Sequence, residues 1–272
     1  MALFFVGGCI RAGTTLLTNI LANAADTHEQ LSECRTLSRC LELYDKAENE
    51  EKHLHIRYFV DEADYRRFFE DIIKNFMSKA NIKAKNAENI VLKDPFLTPN
   101  FKILAAIYPD ARFFIPIRDP RDNITSIIKV IDKTLSQGRH NQLTEMSGNI
   151  EALCDFYMSF YNKIFETDEK LLEGKLYFSV HEQLVKNTKE SIEKMENFSG
   201  LDISKYDPAS GWNNEPRSFF EAVKEHKSAY LSELWEKPVS DQNIGYYKDT
   251  LSDSDIRTIE NKCAYIFERF YR

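Results

Sequence analysis

The sequence has little glycine, no excess of basic residues and no long apolar run. Only nine glycines occur among 272 residues, so a cluster of them marks a place where the backbone needs unusual freedom. With 36 basic and 43 acidic side chains the net charge is −7, which argues against a nucleic-acid-binding class, because such proteins present a basic face. No stretch reaches the roughly 18–20 apolar residues of a membrane span. We expect a globular protein with neither nucleic acid nor membrane as a partner.

Signals for export and for metal binding are also missing. The apolar start, ALFFV, is too short for a secretion signal and has no basic leader. The five cysteines form neither a CxxC pair nor a Cys/His spacing typical of a metal site. We therefore expect reduced thiols and a cytoplasmic location. An acidic protein of this kind can still bind a small anion through a local cationic pocket.

Short apolar runs alternate with segments of helical periodicity along the chain. Strands are predicted at 3–7, 88–95, 111–118 and 175–180, because contiguous apolar residues are typical of strands buried on both faces. A helix is predicted after each strand. A long helix is also predicted over 150–172, and a closing helix is predicted to begin near Leu251 or Ser252. The alternation indicates a single α/β domain over residues 1–272, with a mostly parallel sheet flanked by helices.

The stretch VGGCIRAGTT follows the first strand and opens the first helix. Gly8 and Gly13 have the spacing of a phosphate-binding loop, and the helix start adds a partial positive charge. The lysine that nucleotide triphosphatases place after the second glycine is missing, and Thr14 and Thr15 stand there instead. Arg11 is the candidate cation of the loop. We favour a phosphate site over a tight turn without ligand, and the missing lysine disfavours triphosphate chemistry.

A second candidate anion site follows the third strand, in PIRDPRDNITSI. Arg118 closes the strand, Asp119 and Pro120 have the character of an N-cap and a first helical residue, and Ser126 follows two turns later. Arg118 and Ser126 can grip a second phosphate, the arginine through a forked, charge-assisted contact. Alone, this stretch would also fit a solvated surface turn. Ligands of open parallel sheets bind beyond the carboxyl ends of the strands, where both candidate sites lie.

Together, GCIRAGTTLL and PIRDPRDNITSI resemble the two nucleotide-binding motifs of the PAPS-dependent sulfotransferases. The resemblance implies a P-loop nucleotide-hydrolase-like sulfotransferase fold, with 3′-phosphoadenosine 5′-phosphosulfate (PAPS) as co-substrate. The residues implied to bind the 5′-phosphosulfate end are Arg11, Ala12, Gly13, Thr14 and Thr15. Arg118 and Ser126 are implied to bind the 3′-phosphate. Ala12 replaces the serine that is usual in the family, so one hydroxyl contact is lost.

Later segments extend the resemblance over nearly the whole chain. VLKDPF, at 91–96, resembles a lysine-bearing strand end of the tyrosylprotein sulfotransferases and makes Lys93 a candidate. HEQLV resembles the family's Y-E-x-L-V segment, with His181 in place of the tyrosine, which leaves an adenosine contact there open. EKPVSDQNIGYYKD resembles the segment that closes over the nucleotide and offers Lys237 as a further contact.

Sulfuryl transfer needs a base for the acceptor and cations for the charge that moves. Positioning and electrostatics supply most of the rate gain in such reactions. By resemblance, Arg11 and Lys93 are the candidate catalytic cations, and Glu33 in THEQLSECRTL is the candidate base. Glu29 and His28 remain alternatives for the base, because spacing in sequence constrains a base only loosely. No metal is required in principle if these cations act on the sulfuryl group.

The acceptor is expected to be a small metabolite or natural product, sulfated on a hydroxyl or an amine-type nitrogen. The second product is then adenosine 3′,5′-bisphosphate (PAP). Segments 36–80 and 202–250 are the candidate walls or lids of the acceptor pocket. Three alternatives stay open: a P-loop small-molecule kinase, a protein or carbohydrate sulfotransferase, and a nucleotide-binding protein without turnover. The sequence does not predict the oligomeric state.

Overall fold

A parallel sheet lies at the centre of the chain. The computed structural model describes residues 1–49, 56–166, 169–210, 228–232, 234 and 237–272. The strands of these residues are β1 (Ala2–Val6), β2 (Asn89–Lys93), β3 (Arg112–Ile117) and β4 (Leu176–Val180). Their order in the sheet is β2-β1-β3-β4, and every pairing is parallel. The predicted α/β fold with a mostly parallel sheet is thereby confirmed.

Helices connect the strands and cover both faces of the sheet. In the described residues they are α1 (Thr14–Ala22), α2 (Arg35–Asn49), α3 (Glu62–Lys83), α4 (Phe101–Ile107), α5 (Pro120–Ser136), α6 (Ile150–Ser159), α7 (Asn162–Phe165), α8 (Glu169–Leu172), α9 (His181–Lys186), α10 (Thr188–Ser199), α11 (Asp253–Lys262) and α12 (Ala264–Phe270). Short 3-10 helices lie at Ile56–Tyr58, Pro95–Asn100, Thr144–Met146 and Tyr246–Asp249. The four predicted strands recur in the predicted order, and a helix follows each of them.

Two hydrophobic clusters pack on opposite faces of the sheet. Successive strand side chains point to opposite faces, so Phe5 and Phe113 enter one cluster, whereas Phe4 and Phe114 enter the other. The second cluster also receives Leu17 from α1, which is fully buried. Burial on both faces explains why the strand sequences show contiguous apolar residues rather than alternation.

The edge strand β2 is covered by residues 26–34, which we call the edge segment. The amide of Asn89 donates to the carbonyl of Asp26 at 3.0 Å, and the amide of Cys34 donates to the carbonyl of Lys93 at 2.9 Å. These bonds satisfy backbone groups that an edge strand would leave unpaired. They also place Glu33 beside the carboxyl end of β2, directly next to Lys93.

The long helix predicted over 150–172 is wrong. The structure divides it into α6, α7 and α8, with the first interruption at Phe160 and Tyr161. At this point the amides of both residues bond three residues back along the chain instead of four. The buried Tyr161 hydroxyl accepts from the amide of Cys9 at 3.0 Å and donates to the carbonyl of Pro116 at 3.2 Å. These tertiary bonds accompany an interruption that helical periodicity does not reveal.

The closing helix begins where it was predicted and is interrupted once. Ser252 is its N-cap and forms a capping box with Asp255. The helix then divides into α11 and α12 at the buried Cys263.

Of the predicted wall segments, residues 50–55, 211–227, 233 and 235–236 lie outside the described chain. Among the described residues, no helix is both long and apolar enough to span a membrane, and no cluster of His, Cys, Asp or Glu could hold a metal ion.

Candidate functional site

The loop between β1 and α1 is wound tightly against the end of β3. Gly8 has a φ of 100° and Gly13 a φ of 97°, values that L side chains rarely adopt. A Cβ atom on Gly8 would lie 2.9 Å from Pro116, and one on Gly13 would lie 2.6 Å from Nδ1 of His181. Both glycines are therefore required by conformation and by space. The amide of Gly8 is tied down by Thr98, so the loop is held from several sides.

Arg11 and Arg118 converge above this loop. Arg11 donates through Nε to Ser126 Oγ at 3.2 Å and through Nη1 to the carbonyl of Tyr230 at 2.8 Å. Arg118 donates to the carbonyl of Arg11 at 3.2 Å and to that of Asn243 at 3.0 Å. The predicted loop cation and the predicted second anion site thus form one unit in space.

Among the described residues, this arginine pair forms no ion pair with a carboxylate. Within the described chain, no carboxylate lies within ion-pair distance of Arg11 or Arg118. Burial, and then the nearby Arg118, lowers the pKa of Arg11 to about 10. The Nε of the buried Arg118 has no hydrogen-bond partner in the part of the chain that the structure describes. Because buried charges and donors are costly when unpaired, the arrangement fits an anion bound between the two guanidinium groups.

The arginines face a cavity of about 400 Å³, which we call the donor cavity. Its floor is the glycine loop with Thr14 and Thr15 at the start of α1. Another wall comes from described residues of 229–234 and 238–246, through Asn243 and Tyr246 among others. A phosphate placed on the floor meets backbone N–H groups and the positive end of a nine-residue helix.

Lys93 connects the donor cavity to a second group of charged side chains. Its ammonium is nearly buried, donates to Thr15 Oγ1 at 3.2 Å and pairs with Glu33 Oε1 at 3.2 Å. The other oxygen of Glu33 pairs with Arg35 at 3.3 Å, and Arg35 pairs with Asp94 at 3.2 Å. Burial raises the pKa of the Asp94 carboxyl to about 6. The predicted cation and the predicted base are thus brought into direct contact.

Glu33 borders a second cavity of about 1040 Å³, which we call the acceptor cavity. The cavity runs between the edge segment and the last turns of α3, with Phe76 and Ala80 on one side and Leu31 on the other. Thr15 lines the donor cavity and Glu33 lines the acceptor cavity, and Lys93 contacts both residues. Lys93 therefore bridges a lining residue of one cavity and a lining residue of the other.

The two alternatives for the base, His28 and Glu29, differ in burial and in whether their side chains already have hydrogen-bond partners. His28 is buried, and its Nε2 accepts from the amide of Val91 at 3.0 Å, so its proton lies on Nδ1, which donates to the carbonyl of Glu29 at 2.5 Å. Burial lowers the pKa of His28, which keeps the ring neutral. Both ring nitrogens are therefore occupied, one by β2 and the other within the edge segment. The side chain of Glu29 is exposed and borders the acceptor cavity, but it has no contact with Lys93.

Sequence comparison agrees with this geometry. Residues 4–205, most of the chain, match the profile described as the Sulfotransferase family. The chain belongs to the sulfotransferase family. The resemblance of its two loop motifs to this family, read from the sequence, is confirmed.

Curated relatives of this sulfotransferase match over part of their length. Protein-tyrosine sulfotransferase 1 of Mus musculus is 28% identical over 135 residues, which are 47% of this chain and 34% of the relative. Protein-tyrosine sulfotransferase A of Caenorhabditis elegans is 29% identical over 131 residues, 46% of this chain and 32% of the relative. The match thus spans about a third of the length of these curated relatives.

Solved sulfotransferase structures share the fold over nearly the whole chain. The sulfotransferase domain of the Synechococcus PCC 7002 olefin synthase has a TM-score of 0.54 at 12% identity and covers 96% of this chain and 94% of that domain. The sulfotransferase domain of the curacin biosynthetic pathway has a TM-score of 0.53 at 14% identity, covering 97% of each chain. Mouse sulfotransferase SULT7A1 complexed with PAP has a TM-score of 0.52 at 12% identity, and the match covers 99% of this chain and 84% of the mouse chain. At such identities the likeness concerns the fold alone.

Of the remaining residues predicted to contact the nucleotide, Ala12 and His181 lie at the glycine loop, whereas Lys237 does not line the cavity. Ala12 is fully buried in the loop, and His181 lies against Gly13 with a pKa lowered to about 3 by burial and then by Arg118. Its neutral ring borders the donor cavity. Lys237 is exposed and is not among the described residues that line the donor cavity, so its role stays a prediction.

Sequence reasoning missed Lys129, Lys133 and Tyr246 as parts of the donor cavity. The Lys129 ammonium lies 4.1 Å from the centroid of the Tyr246 ring, and the Arg118 guanidinium lies 5.7 Å from it. A signal was present, because Lys129 and Lys133 follow Ser126 at helical spacing on one face of α5. Tyr246 lies in EKPVSDQNIGYYKD, the segment predicted by resemblance to close over the nucleotide, but no pattern singled out this residue.

Proposed function

We propose that this chain transfers a sulfuryl group from PAPS to an oxygen or nitrogen acceptor and releases PAP. One observation carries the proposal: two converging guanidinium groups have no carboxylate partner in the described chain and share a cavity with Thr15. Thr15 accepts from Lys93, which pairs with the carboxylate of Glu33 at a second cavity. A nucleotide with anionic groups at both ends fits this arrangement better than a triphosphate. The loop also lacks the lysine of nucleotide kinases.

The donor is held by the two predicted anion sites. The loop amides, Arg11 and Thr15 bind the 5′-phosphosulfate, and Arg118 with Ser126 binds the 3′-phosphate. The contact of 3.2 Å between Arg11 and Ser126 makes the two sites adjacent, as a single nucleoside bisphosphate requires. Lys129 adds positive charge on the same side of the cavity.

The transfer uses Glu33, Lys93 and Arg11. The acceptor group forms a bond to sulfur while the bond from sulfur to the 5′-phosphate oxygen breaks. Glu33 takes the proton of the acceptor, and Arg11 and Lys93 offset the charge on the sulfuryl oxygens and the leaving phosphate. Arg35 and Lys93 hold the two oxygens of Glu33 and so fix the orientation of the base.

The acceptor is proposed to be a small metabolite or natural product that enters through the acceptor cavity, with described parts of segment 36–80 as a wall. The described part of segment 202–250 walls the donor cavity instead. The partial match to protein-tyrosine sulfotransferases favours a tyrosine phenol of a protein as the second candidate.

The five free cysteines support the proposed cytoplasmic location.

Substituting Thr36 by tryptophan tests the acceptor cavity. Thr36 is exposed on α2 and lines this cavity close to Glu33, so the larger ring is expected to raise KM for an acceptor found by screening. Leu43→Trp, also exposed on α2 and outside the cavity, is the matched control. If Thr36→Trp leaves KM unchanged for metabolite and tyrosyl-peptide acceptors alike, the acceptor does not use this cavity.

Thermal unfolding tests the donor. At about 100 times its Kd, PAP is expected to stabilise the fold by about 2.7 kcal/mol, which raises Tm by about 5 °C or more. ATP with magnesium is expected to have a much smaller effect, because the loop has no lysine for the outer phosphates. A shift with ATP and magnesium but none with PAP would favour the kinase alternative and overturn the proposal. Binding of PAP with no transfer to any acceptor class would favour the non-catalytic alternative.

A further inference from the structure

Asp122 is a buried carboxylate that the proposed chemistry does not use. It lies in the first turn of α5, between Arg118 and Ser126 in the sequence, and is only 1% exposed. Its Oδ2 accepts from the amide of Gly245 at 2.7 Å, and its Oδ1 accepts from the amide of Tyr247 at 3.1 Å. Its own backbone carbonyl accepts from the hydroxyl of Tyr246 at 3.3 Å. Three bonds thus join one residue of α5 to a single turn far along the chain.

The turn that Asp122 binds is a wall of the donor cavity. Asn243, Ile244 and Tyr246 line that cavity, whereas Asp122 itself does not. Gly245 has a φ of 79°, so the turn needs a residue that tolerates this conformation. The turn is held a second time from the same side, because Arg118 donates to the carbonyl of Asn243 at 3.0 Å.

The position of this turn determines which side chains the bound nucleotide can contact in the donor cavity. Tyr246 keeps its ring beside Arg118 and Lys129, at 5.7 and 4.1 Å from the two cations. If the turn moves, Arg118 loses its carbonyl partner and the cavity loses its wall. The side chains that the donor contacts would then remain, but in a different arrangement.

We propose that Asp122 is a positioning residue that anchors residues 243–247 against α5 and thereby sets the affinity for the donor nucleotide. This inference rests on the proposed function, since the ligand is PAPS or PAP. Asp122 acts through the turn and touches no reacting atom. Its carboxylate is suited to the task because each of its two oxygens accepts one N–H group, whereas an amide in its place has an acceptor on only one of these two atoms.

The test compares Asp122→Asn with Glu196→Gln, and Asp122→Ala serves as a second variant. Asparagine keeps the shape but accepts only one of the two amides and directs its own N–H groups at the other. Glu196 is the matched control, because its Oε1 accepts from the amide of Ile203 at 2.6 Å and anchors a turn outside the donor cavity. The readouts are Kd for PAP by calorimetry, KM for PAPS and kcat, and amide hydrogen exchange at Gly245 and Tyr247 without ligand.

Asp122→Asn is expected to raise Kd for PAP and KM for PAPS by about 10-fold or more, with a much smaller change in kcat. Exchange at Gly245 and Tyr247 is expected to accelerate in this variant and to stay unchanged in Glu196→Gln. Unchanged Kd together with unchanged exchange overturns the inference, as does an equal loss of affinity in Glu196→Gln. Failure of the wild-type chain to bind PAP counts against the proposed function instead, and the exchange data then still decide whether Asp122 anchors the turn.

Discussion

Substituting Glu33 by glutamine is expected to lower the rate of sulfuryl transfer by about 100-fold or more, the usual contribution of a positioned general base. Glutamine has nearly the same shape, but its amide cannot take the acceptor's proton. The side chain lies outside the donor cavity, so the affinity for PAP should stay within about twofold of the wild-type value. Single-turnover transfer from PAPS and calorimetric titration with PAP measure the two effects separately.

Glu29→Gln is the comparison for this experiment. Glu29 borders the same cavity but has no contact with Lys93, so its substitution should leave transfer largely intact. Near-normal turnover of Glu33→Gln with a strong loss in Glu29→Gln would move the base to Glu29. Near-normal turnover of both variants would show that neither carboxylate takes the proton.

Substituting Arg118 by alanine is expected to raise Kd for PAP by about 30-fold or more. A hydrogen bond that involves a charged group contributes about 2 kcal/mol, which corresponds to that factor. The variant also removes the donor that holds the carbonyl of Asn243, so the cavity wall is weakened at the same time. Calorimetric titration with PAP measures the change.

The control for Arg118 lies three residues further on. Arg121 pairs with Asp119 at 2.6 Å and with Glu260 at 2.7 Å, and it does not line the donor cavity. Arg121→Ala should therefore leave Kd for PAP nearly unchanged once the folded fraction is taken into account. Intact affinity in Arg118→Ala would mean that the 3′-phosphate is bound elsewhere.

The parts of the site that are local in sequence could be predicted. The glycine loop follows a buried strand and opens a helix, and Arg118 stands at the end of another strand. The rule that ligands bind at the carboxyl ends of parallel strands then brings both segments together. Lys93 and Glu33 were paired only through resemblance. The edge segment that aligns them is visible in the backbone bonds to β2, which leave no periodic signal.

The bonds that join distant parts of the chain could not be predicted. Resemblance indicated that EKPVSDQNIGYYKD closes over the nucleotide, but the bonds of its 243–247 turn to Asp122 and Arg118 have no signal in the composition. The interruption of the helix at Tyr161 has the same origin, since the partners of its hydroxyl, Cys9 and Pro116, belong to other elements. Periodicity reports which face of a helix is apolar, but it does not report where a buried hydroxyl finds its partner.

The central claim is that one nucleotide is held at both of its anionic ends. Calorimetric titration of the wild-type chain with PAP, adenosine 5′-phosphate and adenosine 3′-phosphate tests it most directly. Because Arg11 and Arg118 serve different phosphates, PAP should bind more tightly than either monophosphate by about 10-fold or more, about 1.4 kcal/mol. Equal affinity for PAP and one of the monophosphates would contradict the claim, because the cavity would then hold a single phosphate.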